Sequence, residues 1–169
     1  MMKRIFPLLA LLLSACASQP PARLSAGPFV NLTPNVSQRG EHIGNKVRWG
    51  GTIANVHTGK DETCFQVVSH PLDSSARPVT GDSTDGRFIA CAPEFYDPVV
   101  YSPGREITVV GTLQAPQMGK IGEYQYLFPR VAASDVYLWP KVVPLPDYPP
   151  FWYSPGTWGP WGPWGGGWW

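Results

Sequence analysis

The sequence predicts an all-β domain, a small OB-like five-stranded barrel, and three observations carry that reading. Apolar runs are short and rich in β-branched residues, no window sustains a helical period, and a Gly-Gly pair interrupts the first run. Residues 46–57 (KVRWGGTIANVH) form the first strand, with Gly50-Gly51 marking the bulge or sharp coil that a small barrel needs. Residues 63–69 (TCFQVVS) and 87–92 (RFIACA) read as the second and third strands. A Pro103-Gly104 turn leads into the fourth, 106–114 (EITVVGTLQ), and 126–139 supplies the last one or two strands. An open sheet or small sandwich is the competing architecture.

Two of these strands can be registered from side-chain alternation. Pairing Cys64 with Cys91 also pairs Phe65 with Ala90, Gln66 with Ile89, Val67 with Phe88 and Val68 with Arg87. One face then carries Phe65, Val67, Phe88 and Ala90, a core face, and the other is mixed. A one-residue slip would destroy that sorting. The register sets Cys64 opposite Cys91, so a cross-strand disulfide is expected, the alternative being two separate thiols.

The amino terminus carries a different message. Lys3 and Arg4 precede nine residues, 5–13, that are apolar apart from Pro7. That is the layout of a secretory signal, and it falls well short of the ~20 residues a spanning helix needs. Leu13-Ser14-Ala15-Cys16 follows, and it resembles the lipobox of bacterial lipoproteins. Residues 1–15 are therefore expected to be a signal peptide and Cys16 the lipidated residue, a covalent lipid being the only non-protein group and no cofactor expected. Ala17 stands where an inner-membrane retention signal would place Asp, which implies the outer membrane and its periplasmic leaflet. The mature chain would hold 11 basic and 12 acidic residues, so lipid rather than charge must hold it to the membrane, and nucleic acid is not an expected partner. Residues 16–27, with Pro20 and Pro21, read as a linker that allows the domain to stand up to ~40 Å off the bilayer.

From Val47-Arg48-Trp49-Gly50-Gly51-Thr52-Ile53 onward the chain resembles a known family. Pro71-Leu72-Asp73, Gly86-Arg87-Phe88-Ile89-Ala90, Phe95-Tyr96-Asp97-Pro98, the run from Gly104 to Gly111, and Ile121-Gly122-Glu123 continue the likeness in order. The family is the Slp family of outer membrane lipoproteins, and the likeness covers about Pro28 to Trp139. It implies an envelope lipoprotein with a small β domain and no established catalysis. The Cys64–Cys91 pair is not carried by the resemblance and rests on the register alone. The resulting division is signal 1–15, lipidated linker 16–27, Slp-like β domain 28–140 and tail 141–169.

No catalytic or metal-ligating set stands out in the sequence. His42, His57 and His70 fall in no zinc spacing. Ser69, His70 and Asp73 supply triad residue types, but as neighbours in a turn rather than as a geometry. Glu94 and Asp97 read as a solvated residue and a turn rather than paired carboxylates. Residues 119–123 (GKIGE) lack a phosphate-loop frame and read as the loop between the last two strands. Arg48, Arg87 and Arg105 would form an anion site only if their strands aligned.

The tail is the strongest unabsorbed signal. Residues 140–169 hold eight Pro, six Gly and six of the eight Trp, with Lys141 and Asp147 the only charges. This composition builds no core of its own, and the tail is expected to be disordered or extended. Trp158, Trp161 and Trp164 recur every three residues, the polyproline II period, which would align them along one edge at ~9 Å intervals. Indoles so placed suit a lipid interface, an envelope protein or a glycan. The expectation is a non-enzymatic structural or interaction lipoprotein of the cell envelope; the alternative is a binding module for a glycan or small amphiphile.

Overall fold

The computed structural model describes residues 19–143. Five strands dominate it: β1 Lys46–Thr58, β2 Thr63–His70, β3 Arg87–Ala92, β4 Glu106–Ile121 and β5 Tyr124–Leu138. Helix among the described residues is confined to a single 3-10 turn at Ala22–Leu24 and the four-residue α1, Pro34–Ser37. The strands close into a barrel in the order β1-β2-β3-β5-β4, with β3 and β5 parallel and the other pairs antiparallel. This is the OB-like barrel that the sequence predicts, and it excludes the open sheet.

The β2–β3 register is the expected one, from Cys64↔Cys91 to Val68↔Arg87. Phe65, Val67, Phe88 and Ala90 are fully buried, as alternation requires. Their partners in the core include Val47, Trp49, Ile53, Ile107, Val109, Leu113 and Val131. Trp49 packs edge-on against Phe88 at 5.3 Å and donates its indole N–H to the Leu32 carbonyl. Residues 30–45 thereby close one end of the barrel.

β1 is shared between two neighbours. Residues 46–52 pair with β4 and residues 50–58 with β2, so Gly50, Gly51 and Thr52 are paired on both sides. The Gly pair therefore marks the coil of the strand, while the irregularity in the ladder lies between Ile53 and Asn55. A Cβ on Gly51 would run into the Val68 carbonyl, which is why the coil needs glycine there.

Three boundaries differ from the sequence reading. β4 runs on to Ile121 and β5 begins at Tyr124, so Gly119, Lys120 and Ile121 are strand rather than loop. A bulge between Gln114 and Gln117 absorbs Pro116, whose missing N–H a regular ladder would not tolerate. Gly119 lies over Phe128, where a Cβ would come within 2.9 Å of the ring, and a two-residue turn at Gly122-Glu123 (Gly122 φ +60°) closes the hairpin. The third difference is Leu24, which is fully buried inside the stretch read as linker.

Leu24 belongs to a second, outer cluster with Ala76, Val110 and Trp139. Its polar centre is Thr108, whose hydroxyl donates to the Ala76 carbonyl at 2.7 Å and accepts the Trp139 indole N–H at 2.9 Å. Thr108→Val keeps the shape but orphans both partners, which should cost about 1–3 kcal/mol. Denaturant titration of the variant checks this; a midpoint unchanged from the parent would remove Thr108 from the network.

Candidate functional site

Cys16, Trp158, Trp161 and Trp164 lie outside the described residues. Cys64 and Cys91 lie within them and are joined by a disulfide on the outward face of β2–β3. Glu62 approaches the two sulfurs, but both are taken up by the bond, so this trio does not offer thiolates to a metal.

Cys64 of the disulfide forms part of the lining of a groove of about 490 Å³. One side is the outward face of β1–β3, carrying Asn55, His57, Gln66 and Ile89; the other is the arm formed by the distal halves of β4 and β5, carrying Gln117 and Lys120. Arg130 closes the groove by reaching Glu62, its Nη2 lying 3.2 Å from each carboxylate oxygen. Its Nε is buried with no protein partner among the described residues. The side chains of His57, Gln66, Gln117 and Lys120 make no hydrogen bond to another described residue, so their donors and acceptors face whatever enters the groove. In OB-type barrels this face, between the β1–β2 and β4–β5 connections, is the one that takes ligands. Sequence reasoning missed Gln66, Gln117, Lys120 and Arg130. No local motif links them; β4 pairs with β5, β2 pairs with β3, and the parallel pairing of Ile89 with Arg130 brings the two pairs of strands together.

The other chemical candidates are separated. Ser69 donates to the Gly50 carbonyl, His70 Nδ1 lies 2.8 Å from the Ser83 carbonyl, and Asp73 accepts from Ser75 and the Arg77 amide, so the three do not form a relay. Asp97 accepts the Val99 amide in a turn, as expected. Arg48 donates to the Leu24 carbonyl and lies over the Phe29 ring, whereas Arg105 donates to the Val100 and Trp139 carbonyls. No anion site arises from Arg48, Arg87 and Arg105, because Arg48 and Arg105 are committed to these separate carbonyls.

The second end of the barrel is closed by the β3–β4 connection, residues 93–105. Tyr96 and Tyr101 stack edge-on at 4.8 Å and both reach Phe65. Burial of the Tyr96 phenol, reinforced by the Glu94 carboxylate that accepts its O–H, pushes its pKa up to about 12. Tyr101 is raised by burial too, with Arg23 and Arg105 opposing. A phenol raised above its ordinary value of 10.0 supports the fold fully below that pH, and the support is lost as pH climbs through about 12. Alkaline titration of phenolate absorbance should show a late-ionising tyrosine that Tyr96→Phe abolishes; an unchanged titration would disprove the assignment.

The chain has counterparts among known proteins. A family model described as "Outer membrane lipoprotein Slp family" matches residues 13–169. The chain is 33% identical over 165 residues to the uncharacterized lipoprotein YeaY of Escherichia coli (strain K12), covering 94% of this chain and 84% of that one. It is 32% identical over 163 residues to the outer membrane protein Slp of the same organism, covering 89% and 85%. Among solved structures, a small single-stranded DNA-binding protein from Streptomyces coelicolor aligns with a TM-score of 0.36 at 10% identity, over 56% of this chain and 94% of that one.

Proposed function

The chain belongs to the outer membrane lipoprotein Slp family, and on that premise we propose that it is a non-catalytic interaction protein, held by acylated Cys16 in the periplasmic leaflet. It presents the β2–β3 groove to a partner in the envelope. The groove is the observation that carries this reading, because its amide and cationic side chains converge from four strands without satisfying one another. The Trp-rich tail, with Trp158, Trp161 and Trp164, supplies a second contact to an envelope protein or glycan.

Two experiments test this. Cys16→Ser should abolish lipid labelling and leave precursor unprocessed; a cleaved, unlabelled protein that stays with the membrane would remove the anchor. A photoreactive residue at Gln66, compared with one at exposed Glu41, should capture a distinct protein in cells, in the full chain and in a chain ending at residue 140. Identical adducts from both positions would overturn the groove as the binding surface. An adduct bearing sugar instead of protein would replace the reading with a glycan-binding module.

A further inference from the structure

We propose that the barrel end closed by residues 93–105 faces the bilayer, and that Val99, Val100, Val142 and Val143 lie in the lipid interface. The proposal rests on the anchoring of Cys16 and fixes what the anchor alone leaves open, the orientation of the domain.

The chain is pinned to the domain close to its lipidated end. Leu24 is fully buried against Val110 and Trp139, and Arg48 Nη1 holds its carbonyl at 3.0 Å. Arg23 lies over the Tyr137 ring at 5.7 Å, near the carboxyl end of β5. The 3-10 turn is thus part of the domain, and only the six residues from Ala17 to Ala22 connect it to Cys16. Six residues reach about 20 Å at full extension, half the span that an unstructured stretch to residue 27 would allow. A tether this short brings one end of the barrel to the membrane, and Arg23 sets which end that is.

That end is also where the described chain leaves the barrel. Arg105 ties the two segments together, donating to the Val100 carbonyl at 3.1 Å and the Trp139 carbonyl at 3.0 Å. Val99 is 84% exposed, Val100 47%, Val142 73% and Val143 80%. Isolated exposed valines are ordinary, but these four flank one arginine beside the attachment point. Arg23 and Lys141 are exposed at the same end and suit lipid phosphates, as snorkelling cations do. Three carboxylates there are engaged, Glu106 by Arg77, Asp97 by the Val99 amide and Glu94 by the Tyr96 hydroxyl, while Asp135 on β5, near Tyr96, is half-buried. Exposed Val36 and Ile43 belong to the segment closing the opposite end, away from the anchor.

The test uses the full acylated chain in vesicles of phosphatidylethanolamine and phosphatidylglycerol, with photoreactive benzoylphenylalanine at Val99 or at Ile43. Both positions are exposed, so neither substitution threatens the fold. In protein that floats with the vesicles, Val99 should give a several-fold excess of phospholipid adducts over Ile43. Floating protein with equal or fewer adducts at Val99, or none at either position, overturns the orientation while leaving the anchor intact. Protein that fails to float removes the anchor and the orientation with it.

Discussion

Gly51→Ala should destabilise the barrel by about 3 kcal/mol or more, while Gly81→Ala should change stability by no more than about 0.5 kcal/mol. At Gly51 a methyl group would meet the Val68 carbonyl and come within 2.9 Å of the Ser69 Cα, all of it backbone. Relief would require β2 to move away from β1, yet β1 is held at the same residues by β4 on its other side. Closure leaves no direction in which to yield. At Gly81 an added methyl would find nothing within 4 Å, and the backbone there has an ordinary φ, so this position isolates the cost of losing glycine from the cost of the clash. Denaturant midpoints of the two variants decide the matter, and equal midpoints would refute the shared-strand account.

Loss of the Cys64–Cys91 bond should cost a comparable amount. The bond spans a sequence separation of 27, and the chain-entropy model gives about 3–4 kcal/mol for a loop of that size. The closed loop contains the whole β2–β3 connection, whose Ala76 carbonyl and methyl complete the outer cluster around Thr108. The double variant Cys64→Ser, Cys91→Ser should therefore unfold at lower denaturant and lose part of that cluster. Alkylation of unreduced, unfolded protein should label neither Cys64 nor Cys91. Full labelling of both would show that the bond does not form.

Why the β2–β3 register is legible, and the arm is not, follows from burial. Phe65, Val67, Phe88 and Ala90 are interior on one face only, so a one-residue slip would carry them to the outer face. In the arm, Met118, Lys120, Tyr124 and Gln125 are all exposed, no face is sorted, and Pro116, Gly119 and Gly122 read as breakers. Leu24 is hidden for a related reason. Its neighbours Pro20, Pro21 and Pro28 signal a linker, and its burial depends on Val110, Ala76 and Trp139, all distant in sequence. The groove likewise has no local signature, since Gln66, Gln117 and Arg130 meet only after closure. The cysteine pair is the exception, because the register itself sets its two members opposite each other.

The arm also divides the molecule by rate of opening. Beyond Thr112 β4 no longer pairs with β1, and before Arg130 β5 does not pair with β3. Past Leu113, whose amide and carbonyl are still bonded to Asn45 and Gly44, the distal hairpin is a two-stranded ribbon with no third strand beside it, and such ribbons are marginal alone. It is fastened toward its tip by Tyr126, which pairs with Gly119, packs its ring on Phe128 at 4.7 Å and accepts the Arg87 amide at its hydroxyl. Its amides should exchange with deuterium long before those of the closed barrel, whose release requires opening a ring with no free edge. One wall of the groove is therefore kinetically soft and the other is rigid.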